Sequence, residues 1–232
     1  MKKAAAVFLA LFLVTGASPA TAGDDLPSVQ QTVRRIQEVY AGYCCFRAKF
    51  DQLTVNVSMD LKDRFKGTMY VRKPGHIALD VDWPEKHKIV IKGRSYTVFF
   101  PDDGNAARGE IPPEINVEHF FGFFANIGNL DRNFLIEFPP KDRDEAENLL
   151  FLELTDKNNP SSTYRILLGA DRSLYTIRRA IIYDALGNYN RYDLSDITFL
   201  NSIPDAHFKV APGPAEMISP SNTGKSEERV KQ

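Results

Sequence analysis

The feature that most limits the possible folds is a two-residue alternation of apolar and polar side chains. It runs through residues 67–73 and resumes through residues 76–83, on either side of the corner Pro74-Gly75. Successive side chains of a β-strand point to opposite faces of the sheet. The pattern therefore predicts two antiparallel strands joined by a tight corner.

Segments with the same period extend in both directions along the chain. Turn residues separate them, as is typical of an antiparallel meander. They comprise Phe46–Phe50, Ile89–Ile91, Tyr96–Phe100, Leu150–Leu154, Tyr164–Leu168, Ile177–Tyr183 and Tyr189–Ile197. Beyond Gln52 the apolar positions shift to Leu53, Val55 and Val57, which predicts a β-bulge or a bend at that point. The whole pattern predicts a mainly β fold that curls towards a barrel, and the inner face of such a sheet can enclose a cavity.

The alternation also assigns side chains to faces. Met69 and Val71 share one face of the first strand, and the second strand repeats this with four residues. Those residues are Ile77, Leu79, Val81 and Trp83. Lys73 falls on the face of Met69 and Val71, whereas Arg72 falls on the opposite one. The corner thus places one cation beside the apolar face and one away from it.

Two segments have helical rather than strand spacing. Apolar residues recur every three or four positions within residues 26–43, and Ser28 with Gln31 predicts a capping box at the start. The second segment, 116–126, places Phe120, Phe121 and Phe124 on one face. It predicts a short helix that packs on the sheet or covers an apolar cavity.

Composition limits the organisation and the class of partner. A net charge of −1 argues against nucleic acid, which requires a basic surface. Residues 1–22 combine a cationic start, an apolar run and a small-x-small site, which predicts a cleaved signal peptide. We expect a single domain over residues 23–218 and a flexible tail over residues 219–232, within a stretch rich in Pro, Ser, Lys and Glu from Pro212 onwards.

The chain carries little that would support covalent chemistry. Phosphate-loop, HExxH, GxSxG and paired-cysteine metal patterns are absent from the sequence, so we expect neither an enzyme nor a bound metal or cofactor. The cysteines, Cys44 and Cys45, are adjacent. We interpret them as two small, separate, partly buried apolar side chains in a strand, because a bridge between neighbours departs from ordinary disulfide geometry. An exported location would nevertheless permit such a bridge.

A family resemblance emerges when the motifs are taken in order. They are Phe46-x-Ala48-x-Phe50-x-Gln52, Gly67-x-Met-Tyr-Val-x-Lys-Pro74, Trp83-Pro84, Ile91-x-Gly93, the Phe-rich helix near 120, Asp184…Gly187-Asn188 and Asn201-x-Ile-x-Asp205-x-x-Phe208. Together they resemble LolA, the family of periplasmic carriers of outer-membrane lipoproteins, over nearly all of residues 26–218.

The resemblance implies an incomplete antiparallel β-barrel with a helical lid over an apolar cavity. The residues expected to form that cavity are Phe50, Met69, Val71, Ile77, Leu79, Val81, Phe120, Phe121 and Phe124. The family places an arginine before the strand-ending proline, where it holds the lid closed. Lys73 occupies that position here and Arg72 precedes it, so both are candidates for a lid latch.

The resemblance also implies partners and a location. A monomer in the periplasm would accept acylated lipoproteins from an inner-membrane ABC transporter and pass them to an outer-membrane acceptor. Two other functions remain open on the residues alone. One is a related module that binds or senses a different lipid or glycolipid, and the other is an assembly protein whose helix face binds a partner.

Overall fold

The computed structural model describes residues 27–111, 122–140, 148–158, 164–210 and 215–217. The expected signal peptide, the expected tail, Phe120 and Phe121 lie outside these ranges. Within them, twelve strands form one sheet. The strands are β1 Cys45–Asn56, β2 Leu61–Arg72, β3 His76–Trp83, β4 His87–Lys92, β5 Ser95–Phe100, β6 Asn105–Glu110, β7 Phe134–Glu137, β8 Leu149–Asp156, β9 Arg165–Asp171, β10 Ile177–Tyr183, β11 Tyr189–Leu200 and β12 Ala215–Met217. Their order in the sheet is β12-β6-β5-β4-β3-β2-β1-β11-β10-β9-β8-β7.

The sheet is antiparallel apart from the pairing of β12 with β6. Its edges, β12 and β7, are not paired with each other in the part of the chain described here, so the barrel is incomplete. The pairing of β1 with β11 brings the two ends of the meander together in the middle of the sheet. The predicted fold class, mainly β with a few helices in an incomplete antiparallel barrel, is confirmed.

The helices are short except for the first. Helix α1 spans Val29–Ala41, α2 spans Gly122–Asn126, and α3 spans Leu130–Asn133, with 3-10 helices at Ile127–Asn129 and Asp205–Phe208. None of the helices in the described ranges is long and apolar enough to cross a membrane.

Helix α1 begins where the sequence predicts it. The Ser28 hydroxyl accepts a hydrogen bond from the Gln31 backbone N–H at 3.2 Å, and the Gln31 side-chain oxygen accepts one from the Ser28 N–H at 2.9 Å. This reciprocal pair satisfies two N–H groups that the first turn cannot bond internally. Val33, Ile36 and Tyr40 are buried on one face, and that face rests on the sheet.

The core lies on one side of the sheet, which we call the inner face. One cluster of buried residues joins α1, α2 and α3 to strands on both halves of the sheet. It includes Phe46, Ala48, Phe50, Met69, Val71, Ile77, Leu79, Val81, Leu152, Leu154, Ile166, Leu168, Ala180 and Leu194. A smaller cluster on the opposite, outer face packs Ile203 and Phe208 against Cys45, Ala78 and Val90.

The bulge expected after Gln52 is not there. The pairing of β1 with β2 is continuous, and the register of β1 shifts against β11 between Arg47 and Lys49 instead. The change in apolar positions has another cause, because Phe50 is the last residue of β1 in the main cluster. Farther along that strand, Gln52 and Thr54 carry hydrogen-bonding groups on the inner face, so apolar residues are no longer required there.

Trp83 departs from the predicted face. Its side chain is 51% exposed, whereas Ile77, Leu79 and Val81 are buried. The register shifts between Lys66 and Gly67, so that these neighbours pair with Trp83 and Val81 respectively. The extra residue in β3 interrupts the alternation, which a pattern within one strand does not reveal.

The same irregularity makes a glycine necessary. A Cβ atom on Gly67 would lie 2.0 Å from the backbone oxygen of Asp80, which is far closer than atoms approach. The neighbouring strand can therefore come this close only where no side chain is present.

We predict that Gly67→Ala destabilises the fold by about 1–3 kcal/mol or more, because the methyl group must push two strands apart. The midpoint of thermal unfolding should fall by several degrees, as measured by circular dichroism. Gly42→Ala is the matched control. Gly42 has φ −69° and no atom within 4 Å of an added Cβ. A decrease of the same size in both variants would contradict the role of close approach.

Candidate functional site

Lys73 connects the sheet to the end of helix α1. Its Nζ donates a hydrogen bond to the backbone carbonyl of Tyr40 at 2.7 Å. Tyr40 lies in the last turn of α1, where carbonyl groups carry the negative end of the helix dipole. A cation is favourable at this position, so the corner after β2 holds the helix by a charge-assisted hydrogen bond.

The backbone fixes the position of this lysine. Its N–H donates to the carbonyl of Cys44 at 2.9 Å, which holds the corner against the start of β1. The ammonium group is partly buried, and burial lowers the pKa of Lys73 below its ordinary value. Partial removal from water strengthens the attraction between the ammonium and the carbonyl dipole.

Tyr40 fixes the same helix end to the opposite half of the sheet. Its hydroxyl accepts a hydrogen bond from the Ile177 N–H at 3.0 Å, in a buried setting. Its ring lies edge-on to Phe46 and Phe199, with ring centroids 5.5 and 5.2 Å away. Burial raises the pKa of the Tyr40 hydroxyl far above the ordinary range, so this group stays neutral. The end of α1 is thus bound to β2 and β10 at once.

Arg72 lies on the outer face and has a different set of contacts. It donates to the carbonyl of Ile203 at 3.2 Å and forms an ion pair with Asp205 at 2.5 Å. Its guanidinium lies 4.4 Å from the centroid of the Phe208 ring, a cation–π distance. The hydrogen bond from Arg72 is the main cause that lowers the pKa of Asp205. Arg72 therefore holds the segment after β11, including the 3-10 helix Asp205–Phe208, rather than α1, α2 or α3.

The apolar residues expected to form the cavity are placed together. Phe50, Met69, Val71, Ile77, Leu79 and Val81 are all buried on the inner face and share the main cluster. Phe124 joins them from α2, is 1% exposed, and lies edge-on to Tyr192 at 6.2 Å. The structure thus places the helix that carries Phe124 directly on the predicted apolar face.

A small void and a larger cavity border the inner face. A void of about 10 Å³ lies between Tyr40, Phe46, Lys73 and Phe124, beneath the end of α1. A cavity of about 470 Å³ lies farther along the sheet, where Val55, Ile89, Ile182 and Tyr192 contribute apolar lining. The space under α1 is thus almost filled, and open volume lies beyond it.

The larger cavity has polar groups that sequence reasoning missed. Thr54 donates to the Asn190 side-chain oxygen at 2.6 Å, and the Gln52 amide donates to Thr54 and to Asn190 at 3.0 and 3.3 Å. The family motif includes Gln52 but assigns no role to it. The inward position of Thr54 follows from the continuous register of β1, which the sequence pattern did not predict. The link to Asn190 could not be seen, because it joins residues far apart in the chain.

The two cysteines are bridged. Cys44 and Cys45 form a disulfide between neighbouring residues, so the interpretation as two separate side chains is wrong. Cys44 lies in the bend before β1 rather than in the regular strand, and its Sγ is 3.0 Å from the backbone oxygen of Asn201. The bend gives adjacent residues a geometry that an extended strand would not provide. Within the described ranges, no group of three or more His, Cys, Asp or Glu side chains could hold a metal ion.

The arrangement defines a class of protein: an antiparallel half-barrel whose apolar inner face is covered by helices. A family model described as "Outer membrane lipoprotein carrier protein LolA" matches residues 43–211. The chain therefore belongs to the LolA family, as the motifs predicted.

Relatives with known names or structures are distant. An outer-membrane lipoprotein carrier protein of Pseudomonas putida (strain W619) is 21% identical over 185 residues, which cover 78% of this chain and 82% of that protein. The crystal structure of a LolA superfamily protein from Nitrosomonas europaea is 18% identical, with a TM-score of 0.44 over 79% of this chain and 98% of that one. An uncharacterized conserved protein from Thermus thermophilus is 10% identical, with a TM-score of 0.47 over 82% and 97% of the two chains.

We predict that Cys44 and Cys45 resist alkylation in the unfolded protein until a reductant is added, because a bridge has no free thiol. The protein is unfolded in a denaturant, treated with iodoacetamide and analysed by intact-mass spectrometry. The mass should show no carbamidomethyl group without reductant and two after reduction. Two groups in the unreduced sample would restore the interpretation as separate thiols.

Proposed function

We propose that this protein is a periplasmic carrier that binds the acyl chains of lipoproteins and delivers them to an outer-membrane acceptor. Membership of the LolA family supports the carrier class. The observation that carries the proposal is the hydrogen bond from Lys73 to the carbonyl of Tyr40, because it joins the sheet to the helix that covers the apolar face. Cargo would come from an inner-membrane ABC transporter, and the carrier would act as a monomer without covalent chemistry.

The energy for binding comes from burying hydrocarbon. Each methylene group removed from water contributes about 0.8 kcal/mol, so an acyl chain is a strong ligand for an apolar face. In the closed state, Val33, Ile36 and Tyr40 of α1 and Phe124 of α2 occupy part of that face. Cargo and helices therefore compete for the same surface.

This competition gives the latch its role. A carrier must hold its cargo during transit and still release it, so the closed state has to lie close in free energy to the loaded one. The Lys73 hydrogen bond stabilises the closed state alone, because it exists only while the end of α1 rests on the corner after β2. Phe50, Met69, Val71, Ile77, Leu79, Val81, Phe120, Phe121 and Phe124 are the residues proposed to contact the cargo.

We predict that Lys73→Leu binds cargo but releases it poorly. A hydrogen bond to a charged group is worth about 1.5–3 kcal/mol, so the ratio of open to closed molecules should rise by roughly tenfold or more. Lys73→Arg should preserve release, since arginine also donates to carbonyl groups. The measurement is transfer of a labelled lipoprotein from loaded carrier to acceptor membranes.

Arg72→Leu is the neighbouring control. Arg72 contacts the outer-face segment instead of α1, α2 or α3, so this variant should lose thermal stability yet transfer normally per folded molecule. A block in release by Arg72→Leu, with normal release by Lys73→Leu, would assign the latch to the arginine instead.

The cargo itself can be identified by mass spectrometry of material that co-purifies from the periplasm. We predict triacylated peptides. Free phospholipid or glycolipid in their place would favour the related lipid-binding or sensing module. A stable protein partner with no lipid would favour an assembly role, and both outcomes would contradict a lipoprotein carrier.

A further inference from the structure

A further cavity lies on the outer face, on the side of the sheet opposite α1, α2 and α3. Its volume is about 330 Å³, and three of its lining residues are cations: Lys92, Arg108 and Lys209. Ser95 and Thr97 add hydroxyl groups to the same lining. This volume falls at the lower end of the range typical of sites for small ligands. We call this feature the basic cavity.

The sheet register brings these groups together. Lys92 pairs with Ser95 across the β4–β5 hairpin, and Thr97 pairs with Arg108 across β5 and β6. Paired residues of neighbouring strands point to the same face, and side chains two positions apart in a strand do so as well. Four groups from three strands therefore lie on one patch of the outer face.

The third cation comes from a distant part of the chain. Lys209 directly follows Phe208, which is 1% exposed and is fixed in the outer cluster. Arg72 clamps the same segment through Asp205. The position of Lys209 is thus set by packing and by an ion pair in which it takes no part.

None of the three cations of the basic cavity is held in a close ion pair among the described residues. Lys92, Arg108 and Lys209 make no salt bridge within 4.0 Å to any carboxylate among the described residues. Asp205 is bonded to Arg72, although Lys92 and Lys209 add smaller contributions that lower its pKa.

Glu110 is the cross-strand partner of Ser95 and shares its face of the sheet, but it is not among the residues that line the cavity. Three positive charges in one cavity contrast with a net charge of −1 for the whole chain. This local excess of positive charge favours an anion.

The rest of the lining favours a particular kind of anion. Lys92, Arg108 and Lys209 are exposed, so an anion can reach them from solvent, whereas Val90 and Phe208 of the same lining are buried and apolar. Guanidinium, ammonium and hydroxyl groups together match the several acceptor oxygens of a phosphate. We propose that the basic cavity binds a phosphate-bearing anion, either a soluble phosphate compound or the headgroup of a phospholipid. This site is independent of the proposed lipoprotein cargo.

The test is a titration of the full-length mature protein at low ionic strength, followed by ¹H–¹⁵N correlation spectra. One arm uses inorganic phosphate, and the other uses phosphatidylglycerol vesicles with phosphatidylcholine vesicles for comparison. We expect saturable shifts or broadening at the backbone amides of Lys92, Thr97, Arg108 and Lys209. Lys92→Ala/Arg108→Ala should weaken binding by about tenfold or more, equivalent to about 1.4 kcal/mol, because it removes two of the three cations in the lining.

Lys62→Ala/Lys86→Ala is the matched control, since it removes the same charge from two exposed lysines outside the cavity. Binding that this control retains and the cavity variant loses supports the site. The responding arm then identifies the source, a soluble phosphate or a lipid headgroup. Absence of saturable binding in both arms, or an equal loss in the two variants, overturns the proposal. Normal lipoprotein transfer by the cavity variant would leave the carrier function intact, so the two proposals can fail separately.

Discussion

The structure depends on removing one continuous apolar face from water. Strands on both halves of the sheet present buried side chains to a single cluster, and a sheet of this kind cannot leave such a face exposed. Helix α1 and the short helices after residue 122 provide the cover. Because the cover is made of separate helices rather than further strands, no backbone ladder holds it to the sheet. Side-chain packing and a few hydrogen bonds decide whether it stays.

That division is the basis for the role proposed for Lys73 at the corner after β2. The sheet is stabilised by its strand pairings whether or not α1 is in place. The end of α1, in contrast, is held by Lys73 on one side and by the Tyr40 hydroxyl on the other. A change of about 1.5–3 kcal/mol is small for the whole fold but large for the position of one helix. The proposed carrier function uses this difference.

Adjacent residues along a strand point to opposite faces of the sheet. At the end of β2 this alternation places two neighbouring cations on different faces. Lys73 contacts the helix on the inner face, whereas Arg72 contacts the Asp205–Phe208 turn on the outer face. The second contact fixes the chain that carries Lys209, so it also shapes the basic cavity. Two neighbouring cations thus organise the covered face and the outer one independently.

The sequence by itself determined the features that depend on neighbours along the chain. The strand alternation, the capping box of α1 and the opposite faces of Arg72 and Lys73 follow from local periodicity, and the family motifs predicted the half-barrel.

Tertiary structure decided the rest. Four features depend on which strands pair and on where distant segments of the chain meet, so local patterns do not predict them. They are the register shift near Arg47, the exposure of Trp83, the Gln52–Thr54–Asn190 group, and the convergence of Lys92, Arg108 and Lys209. The bridge between Cys44 and Cys45 belongs with these, because a bend set by contacts with Lys73 and Asn201 replaces the extended strand that the pattern suggested. Local patterns report the backbone state of a segment, whereas these contacts arise only when the whole sheet has formed.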